Sequence, residues 1–282
     1  MYTLSVENHK GEKLQLTQNI NYNVLRVSGL NPPNANVNTS VNANFDGSTY
    51  KSSRLNERNI VIELTIEGDV EANRINLYKY FKNKHACKVY YANDTRYVYI
   101  NGYVESFEVD LFEQKQKAQI SILCPKPHFI NLSNSMIDFS SIVPLFEFPF
   151  SIEEAGIEFS KLLVNQTKSI INNGDVSTGM LIELKAVGLV LNPKIYNVET
   201  GESIILDIEM QSGDIVRVNT NAGEKSITMI VDGVESNIIN RMRYGSKWLQ
   251  LESGDNIYLY TADEFPENLT CTFIYQDKYE GV

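Results

Sequence analysis

Alternating apolar and polar residues run through most of this 282-residue chain, and this pattern predicts β-strands. The clearest run extends from Ile60 to Ile66, where isoleucine or leucine occupies every second position. Similar runs predict four more strands in the first half, at residues 88–92, 95–100, 103–111 and 118–124. Asn93-Asp94, Asn101-Gly102 and a polar Gln/Lys stretch separate them. Because Asn-Gly favours a two-residue hairpin turn, we expect an antiparallel meander.

One segment of the first half has the period of a helix. Asp69 is a suitable N-cap. The apolar residues that follow at spacings of three and four are Ile75, Leu77, Tyr78 and Phe81. Acidic residues stand early in this segment and lysines late, which complements the helix dipole. We therefore expect a single helix packed on the sheet.

Residues 29–59 are polar and rich in turn-forming residues, with Pro32-Pro33 near the start and Asp46-Gly47 as a turn. A segment of this length inside a compact domain is usually functional or flexible. Weak alternation at residues 37–41 and 45–50 predicts a projecting hairpin. Such a hairpin has too little apolar surface to be stable alone, so we expect it to need a partner surface.

The second half consists almost wholly of short runs typical of strands, separated by turn signals such as Gly213-Asp214 and Asp232-Gly233. The predicted strands are residues 180–184, 204–210, 215–218, 227–231, 248–251, 257–260 and 270–275. Short strands at this spacing favour a β-sandwich.

A cluster of prolines separates the two halves: four of the eight, Pro125, Pro127, Pro144 and Pro149, lie close together. Proline interrupts regular elements, so we place a domain boundary near residue 130, with domains at residues 1–130 and 131–282. The charge changes at the same place. Residues 1–135 contain 15 basic and 13 acidic residues, whereas residues 136–282 contain 10 and 22.

Composition narrows the class of protein. A hydrophobic fraction of 43% with 21% charged residues is typical of a folded soluble protein. No stretch approaches the roughly 20 apolar residues of a membrane span, and the first residues lack the features of a signal peptide. The net charge of −10 and the absence of a dense basic patch disfavour binding to nucleic acid. We expect neither a membrane partner nor a sequence-specific nucleic-acid partner.

Few residues could carry chemistry. The three cysteines are far apart and form no Cys-x-x-Cys pair, and the only histidines are His9, His85 and His128. Cys124 and His128 lie four residues apart, but the intervening prolines form a stiff segment, so we interpret Cys124 as a buried residue that closes a strand. We predict no catalytic, cofactor or metal site.

Two further features could indicate a sugar-active protein. Glu153-Glu154 is the obvious carboxylate pair for a glycosidase, yet adjacent strand residues point to opposite faces. Trp248, the only tryptophan, could form a stacking platform for a sugar ring. It lies in the alternating run at residues 248–251, which favours packing in the core or at a sheet edge.

Several short segments occur in a specific order and spacing along nearly the whole chain. They are residues 29–33, 45–48, 58–60, 74–78, 120–129, 154–160, 173–175, 178–179, 192–193, 200–202 and 281–282. In this respect the sequence resembles the distal tail protein family of bacteriophages and of related phage-tail-like particles, which act mainly on Gram-positive hosts. Lys126 and His128 stand where the family usually has Asp and Tyr.

The resemblance implies a structural, non-enzymatic protein of the tail tip or baseplate, present in the virion or phage-tail-like particle and in the host cytoplasm during assembly. It implies an N-terminal domain that forms a ring of six copies, joining the tail tube protein to a tail-associated hub protein. It also implies a galectin-like C-terminal β-sandwich that faces outward and attaches receptor-binding or peripheral baseplate proteins.

Together, the residues and the resemblance predict a mainly β fold. The N-terminal domain is a β-sandwich or meander with one packed helix and a projecting hairpin, and the C-terminal domain is a galectin-like β-sandwich. The subunit contact we predict consists of Pro32, Pro33, Phe45, Asp46, Gly47, Tyr50 and Arg58. The alternative is a carbohydrate-binding protein that recognises host wall sugars through Trp248, and a wall hydrolase is a third hypothesis.

Overall fold

The computed structural model describes residues 2–41, 43–44, 46–144, 160–164 and 167–282. In these residues the chain forms two compact units, Met1–Leu132 with Lys278–Val282, and Ser133–Asp277. The boundary that we predicted near residue 130 lies close to this division. The return of the last five residues to the first unit has no counterpart in the prediction.

Strands make up most of the fold, which confirms the predicted mainly β class. The first unit contains β1 (Thr3–Glu7), β2 (Lys13–Gln15), β3 (Tyr22–Ser28), β4 (Ala35–Val41), β5 (Ser48–Leu55), β6 (Arg58–Ile66), α1 (Val70–Tyr80), β7 (Ala86–Ala92), β8 (Tyr97–Val109), β9 (Lys117–Cys124) and β10 (Phe129–Asn131). The second contains β11 (Ser135–Asp138), β12 (Ser140–Pro144), β13 (Ser160–Val164), β14 (Thr167–Asn172), β15 (Met180–Ala186), β16 (Val190–Asn197), β17 (Ser203–Ile205), β18 (Glu209–Met210), β19 (Ile215–Asn219), β20 (Ser226–Val231), β21 (Val234–Asn237), β22 (Gly254–Glu264) and β23 (Leu269–Tyr275). Two short 3₁₀ helices, Ile239–Arg241 and Pro266–Asn268, flank β22. The last strand, β24 (Lys278–Tyr279), belongs to the first unit.

The first unit is built on an antiparallel sheet in the order β2-β1-β7-β8-β9-β6-β3, to which β10 and β24 are added through β8. Alternate residues of β6 face the core, as the sequence pattern predicts: Ile60, Ile62 and Leu64 are all fully buried. The helix α1 begins after Asp69, whose carboxylate accepts a hydrogen bond from the Ala72 amide at 3.2 Å.

The helix packs on the sheet through a narrower stripe than its spacing predicts. Leu77 and the following Phe81 are buried, whereas Ile75 and Tyr78 remain about half exposed. On the adjoining side the Tyr22 hydroxyl donates to the Asn73 carbonyl at 3.1 Å, which ties α1 to β3. The helix is therefore positioned by the apolar contacts of Leu77 and Phe81 and by the hydrogen bond from Tyr22.

The hairpin turn predicted at Asn101-Gly102 is wrong, because this dipeptide lies inside β8, a continuous strand of 13 residues. A Cβ atom on Gly102 would lie 2.6 Å from Ile122 Cγ2 and 2.9 Å from Cys124 Sγ. The glycine is thus required by close packing against β9 within a strand, and the turn signal was misleading.

The second unit is a two-sheet β-sandwich, as predicted. One sheet has the order β11-β23-β15-β19-β20-β21, and the other has β14-β22-β16-β17 with β18 beside β16. Tyr258 on β22 and Phe273 on β23 meet edge to face with ring centroids 5.2 Å apart, so one core joins the sheets. Residues 248–251 are not a strand: Leu251 makes a single bridge to Thr178 and Leu249 is fully buried.

Many of the chain's asparagines organise turns. The Oδ1 atom of each accepts the backbone N–H two residues later, at distances of 2.9–3.0 Å in Asn8, Asn19, Asn93, Asn172, Asn197, Asn219 and Asn237. A fold made of short strands has many tight turns, and this local bond stabilises them.

Candidate assembly surface

The projecting hairpin is present in the structure as β4 and β5, which within the described residues pair only with each other. Nearly every residue of both strands is exposed. A register shift between Asn38 and Thr39 leaves Lys51 as the extra residue on β5. The hairpin therefore stands clear of the core of its own unit.

The two faces of this hairpin differ in polarity. Directly paired residues lie on the same face, and one face carries Ala35, Val37, Thr39, Val41, Ser48, Tyr50, Ser53 and Leu55. The other face carries only polar residues: Asn36, Asn38, Ser40, Thr49, Ser52 and Arg54. Val41 is 80% exposed and Tyr50 is 60% exposed. The hairpin thus presents an apolar strip that no described residue of its own unit covers.

Arg58 holds the base of the hairpin from inside the first unit. Its side chain is 2% exposed, and its Nε donates to the Pro127 carbonyl at 2.7 Å. Its Nη1 donates to the carbonyls of Gly29 and Asn31, and its Nη2 to that of Glu280. The guanidinium carbon lies 4.6 Å from the centroid of the Phe129 ring. One buried cation therefore joins three separate segments of the chain through their backbones.

The C-terminal residues complete this base. β24 pairs with β10, and the Val282 amide donates to the Leu30 carbonyl at 3.1 Å. Gly281 lies against Pro32, where a Cβ atom would be 2.9 Å from the proline Cδ. Arg96 donates to the Gly281 carbonyl and stacks on Tyr279 at 4.3 Å. We call residues 278–282 together with Arg58 and Arg96 the C-terminal clasp.

The predicted contact residues fall into two groups in the structure. Pro32, Pro33 and Arg58 line an open groove of about 950 Å³ at the base of the hairpin, together with Arg54, Glu57 and Glu105. Asp46 and Gly47 lie at the hairpin turn and Tyr50 on the apolar strip, whereas Phe45 lies outside the described residues. Because Arg58 is buried, its contribution to any subunit contact is indirect: it positions the hairpin.

His128 is the titratable group that the prediction did not connect with this region. Its Nε2 atom is buried with no hydrogen-bond partner among the described residues. Burial, with help from the charges of Lys278 and Arg58, lowers the pKa of His128 below its usual value, and Glu280 opposes this shift. A neutral imidazole is therefore favoured beside the clasp.

We expect the first unit to lose stability below about pH 6.5 through His128. The unfolded chain takes up a proton near this pH, whereas the folded pKa is lower, so the stability is complete above pH 6.5 and declines as the pH falls towards the folded pKa. Melting temperatures at pH 7.5 and 5.5 measure the effect. The decline should shrink in His128→Tyr, and a decline as large as that of the wild type in this variant would contradict the assignment.

The other residues that the sequence offered as candidates for chemistry form no catalytic or metal site among the described residues. Cys124 is buried at the end of β9, as interpreted from the sequence, and burial raises its pKa to about 12, so the thiol is inert at neutral pH. The rings of His9 and His85 lie 4.3 Å apart. Among the described residues no three histidine, cysteine or acidic side chains form a possible metal site. Glu153-Glu154 lies outside the described residues.

Trp248 packs against the core of the second unit and is partly buried. The Lys225 ammonium lies 5.5 Å from the centroid of its ring, so one face of the indole already has a cation beside it. This arrangement is typical of a packing residue, and it leaves little of the ring for a sugar. In the described part of the chain no helix is long and apolar enough to cross a membrane.

Two family models match the chain, one in each unit. The model of the phage tail protein RIFT-related domain matches residues 9–124, and that of the siphovirus-type tail component, C-terminal domain, matches residues 173–279. The fold and these matches define a structural component of a phage tail. The chain belongs to the phage distal tail protein family, which places it at the tail tip of the virion. No curated protein sequence matches it.

Solved structures with the same fold come from two phages. The Dit protein of phage SPP1, described as a paradigm of the hub adsorption apparatus in phages that infect Gram-positive bacteria, superposes with a TM-score of 0.70 at 12% identity, over 99% of both chains. A chain of the phage p2 baseplate in its activated conformation with calcium has a TM-score of 0.54 at 10% identity, over 100% of both chains. The corresponding strontium form has a TM-score of 0.51 at 9% identity.

Proposed function

We propose that this protein forms a closed ring of six copies at the distal end of the tail tube and acts as the hub of the tail tip. The ring joins the tail tube protein on one side to a tail-associated hub protein on the other. The β-sandwich of each copy attaches receptor-binding or peripheral baseplate proteins. Family membership supports the tail-tip role, and the resemblance to distal tail proteins supports the number six.

The observation that carries the proposal is the uncovered apolar strip of the hairpin. Burying Val37, Val41 and Tyr50 against a neighbour would stabilise the assembly by several kcal/mol, on the order of 2 kcal/mol for each fully buried side chain. A hairpin that projects from one subunit onto a different surface of the next makes a heterologous contact, and such contacts generate rings when the rotation closes. The polar face can remain in water.

Charge distribution is compatible with this arrangement. The first half of the chain is nearly neutral, with 15 basic and 13 acidic residues, so six copies brought together in a ring repel one another little. The acidic second half, with 10 basic and 22 acidic residues, would repel itself if packed at the centre of the ring. We infer that the first unit forms the ring.

A pair of charge variants tests the hairpin contact. Val37→Asp with Tyr50→Asp places two carboxylates on the apolar strip, and we expect it to raise the dissociation constant of the oligomer at least tenfold, because each charge would have to be desolvated. Light scattering after size exclusion and negative-stain microscopy measure the change.

The control is Asn36→Asp with Ser40→Asp, which adds the same charge on the polar face of the same hairpin and should leave the ring intact. Wild-type protein that remains monomeric at high concentration and forms no ring in micrographs would refute the proposed function. A ring equally weakened by both variants would keep the function and reject the apolar strip as the contact.

A further inference from the structure

A second surface of the first unit has the chemistry of a ligand site. Strands β2, β1, β7 and β8 lie side by side, and the residues that alternate with their buried positions face away from the core. The pairing places Gln15 beside Ser5, Ser5 beside Tyr90, Thr3 beside Ala92, and Ala92 beside Tyr97. Short and long side chains therefore alternate in the row Gln15, Ser5, Tyr90, and in the next row the short Thr3 and Ala92 lie beside Tyr97.

This alternation produces a depression of about 420 Å³, within the usual size range of small-molecule sites. Thr3, Ser5 and Ala92 form its floor because their side chains are short. The walls are formed by the rings of Tyr90 and Tyr97 and by the longer chains of Lys13 and Gln15. We call these seven residues the tyrosine depression.

The two tyrosines of the depression are in different states. Tyr90 is nearly buried: its hydroxyl donates to Glu7 at 2.7 Å, and the Lys13 ammonium covers its ring at 3.8 Å from the centroid. Tyr97 is 48% exposed, and its cross-strand neighbour Ala92 is too small to cover the ring. The Tyr97 ring is thus attached to a paired strand of the sheet and remains accessible to solvent.

Hydrogen-bonding groups of β1 and β2 line the part of the depression away from Tyr97. Within the described residues the hydroxyls of Thr3 and Ser5 and the side-chain amide of Gln15 make no hydrogen bond to the protein. These groups, with the Lys13 ammonium, can donate or accept towards a ligand on the floor. Glu7 lies 3.4 Å from Lys88 and close to Lys13, so one carboxylate offsets one of the two ammonium groups beside the depression.

A pyranose sugar fits this combination. One side of its ring presents C–H groups that pack on an aromatic face, and its rim of hydroxyl groups requires short polar partners of both donor and acceptor type. We propose that the tyrosine depression binds a neutral hexopyranose unit, with Tyr97 as the stacking platform and Thr3, Ser5, Gln15 and Lys13 as hydrogen-bonding partners. This site is distinct from Trp248 and does not depend on ring formation.

Saturation-transfer NMR on the full chain tests the site with four methyl glycosides, those of glucose, galactose, N-acetylglucosamine and rhamnose. We expect at least one to bind with a dissociation constant that Tyr97→Ala raises at least tenfold. Gln15→Ala, which cannot disturb the sheet core, should weaken binding several-fold. The matched control is Tyr103→Ala, because Tyr103 lies on the same strand and face, is 52% exposed and stands outside the depression.

Three outcomes would overturn the proposal. The first is no saturation transfer from any of the four glycosides. The second is an equal loss of binding in Tyr97→Ala and Tyr103→Ala while melting curves show both variants folded. The third is a loss in Trp248→Ala with none in Tyr97→Ala, which would place the sugar on the second unit.

Discussion

Replacing Arg58 with alanine is expected to destabilise the first unit by about 3 kcal/mol, because hydrogen bonds from a charged group contribute about 1.5–3 kcal/mol and a buried acceptor left without its donor costs about 1–3 kcal/mol. The substitution leaves the carbonyls of Gly29, Asn31, Pro127 and Glu280 without the donor that Arg58 supplies. It also removes the cation that stacks on Phe129.

Chemical unfolding measures the loss of stability in the first unit, and the second unit serves as an internal reference. Trp248 is the only tryptophan and lies in the second unit, so its fluorescence reports that unit, whereas far-UV circular dichroism reports both. We expect Arg58→Ala to lower the midpoint seen by dichroism and to leave the tryptophan transition unchanged.

Two variants sharpen the result. Arg54→Ala, on the exposed hairpin, should change stability by no more than about 0.5 kcal/mol. Arg58→Lys keeps the charge but offers one ammonium in place of the planar fork, so it should recover only a minor part of the loss. An unchanged dichroism midpoint in Arg58→Ala would show that the clasp does not stabilise the unit.

The sequence predicted those elements of the fold in which the spacing of apolar residues alone distinguishes a strand from a helix. The run at residues 60–66 is a strand because its alternation matches the pleat, and α1 begins where Asp69 can cap it. The hairpin at β4 and β5 was also visible, because its polar strands are bounded by Pro32-Pro33 and Asp46-Gly47.

What the sequence could not predict depends on contacts between distant residues. Gly102 carries a turn signal, and only the approach of β9 shows that it serves packing. Lys278 and Tyr279 are too short a strand to be recognised, although they complete the first unit. The role of Arg58 follows from carbonyls up to 222 positions away. The tyrosine depression likewise requires the register of four strands.

The thirty asparagines of the chain are another feature whose role depends on contacts between distant residues. Each Asx turn is a local bond, so the residue type points to turns in general. Asn93 does mark the turn between β7 and β8, yet Asn101 lies within a strand. The asparagine content of the sequence therefore predicts no particular turn, because the strand pairing determines which asparagines make turns.

The clasp connects this internal architecture to the proposed assembly. The hairpin leaves the sheet at residues 29–34, and those residues are held by Arg58, Gly281 and Val282. Because the apolar strip must meet its neighbour in a defined orientation, a loosened base would spread the hairpin over many directions and raise the entropic cost of the contact. Clasp variants that still fold should therefore assemble more weakly than their stability alone implies.

Gly29→Ala should be the most damaging single-methyl change in the hairpin base. Gly29 has φ +83°, and an added Cβ would lie 2.1 Å from the Asn59 carbonyl oxygen and 3.1 Å from Ile60 Cα, both backbone atoms of β6. Neither atom can move without disturbing the central sheet, and the strained backbone adds its own cost. We expect a loss of about 3 kcal/mol or more.

Gly11→Ala separates the two contributions. Gly11 lies in the same unit with φ +82°, but a Cβ there meets nothing within 4 Å, so only the cost of the left-handed backbone remains, about 1 kcal/mol. The difference between the two variants in urea unfolding followed by dichroism therefore measures the clash alone. Equal losses of stability in the two variants would mean that the segment at Gly29 can shift away from β6. The C-terminal clasp would then not hold the base of the hairpin in a fixed position.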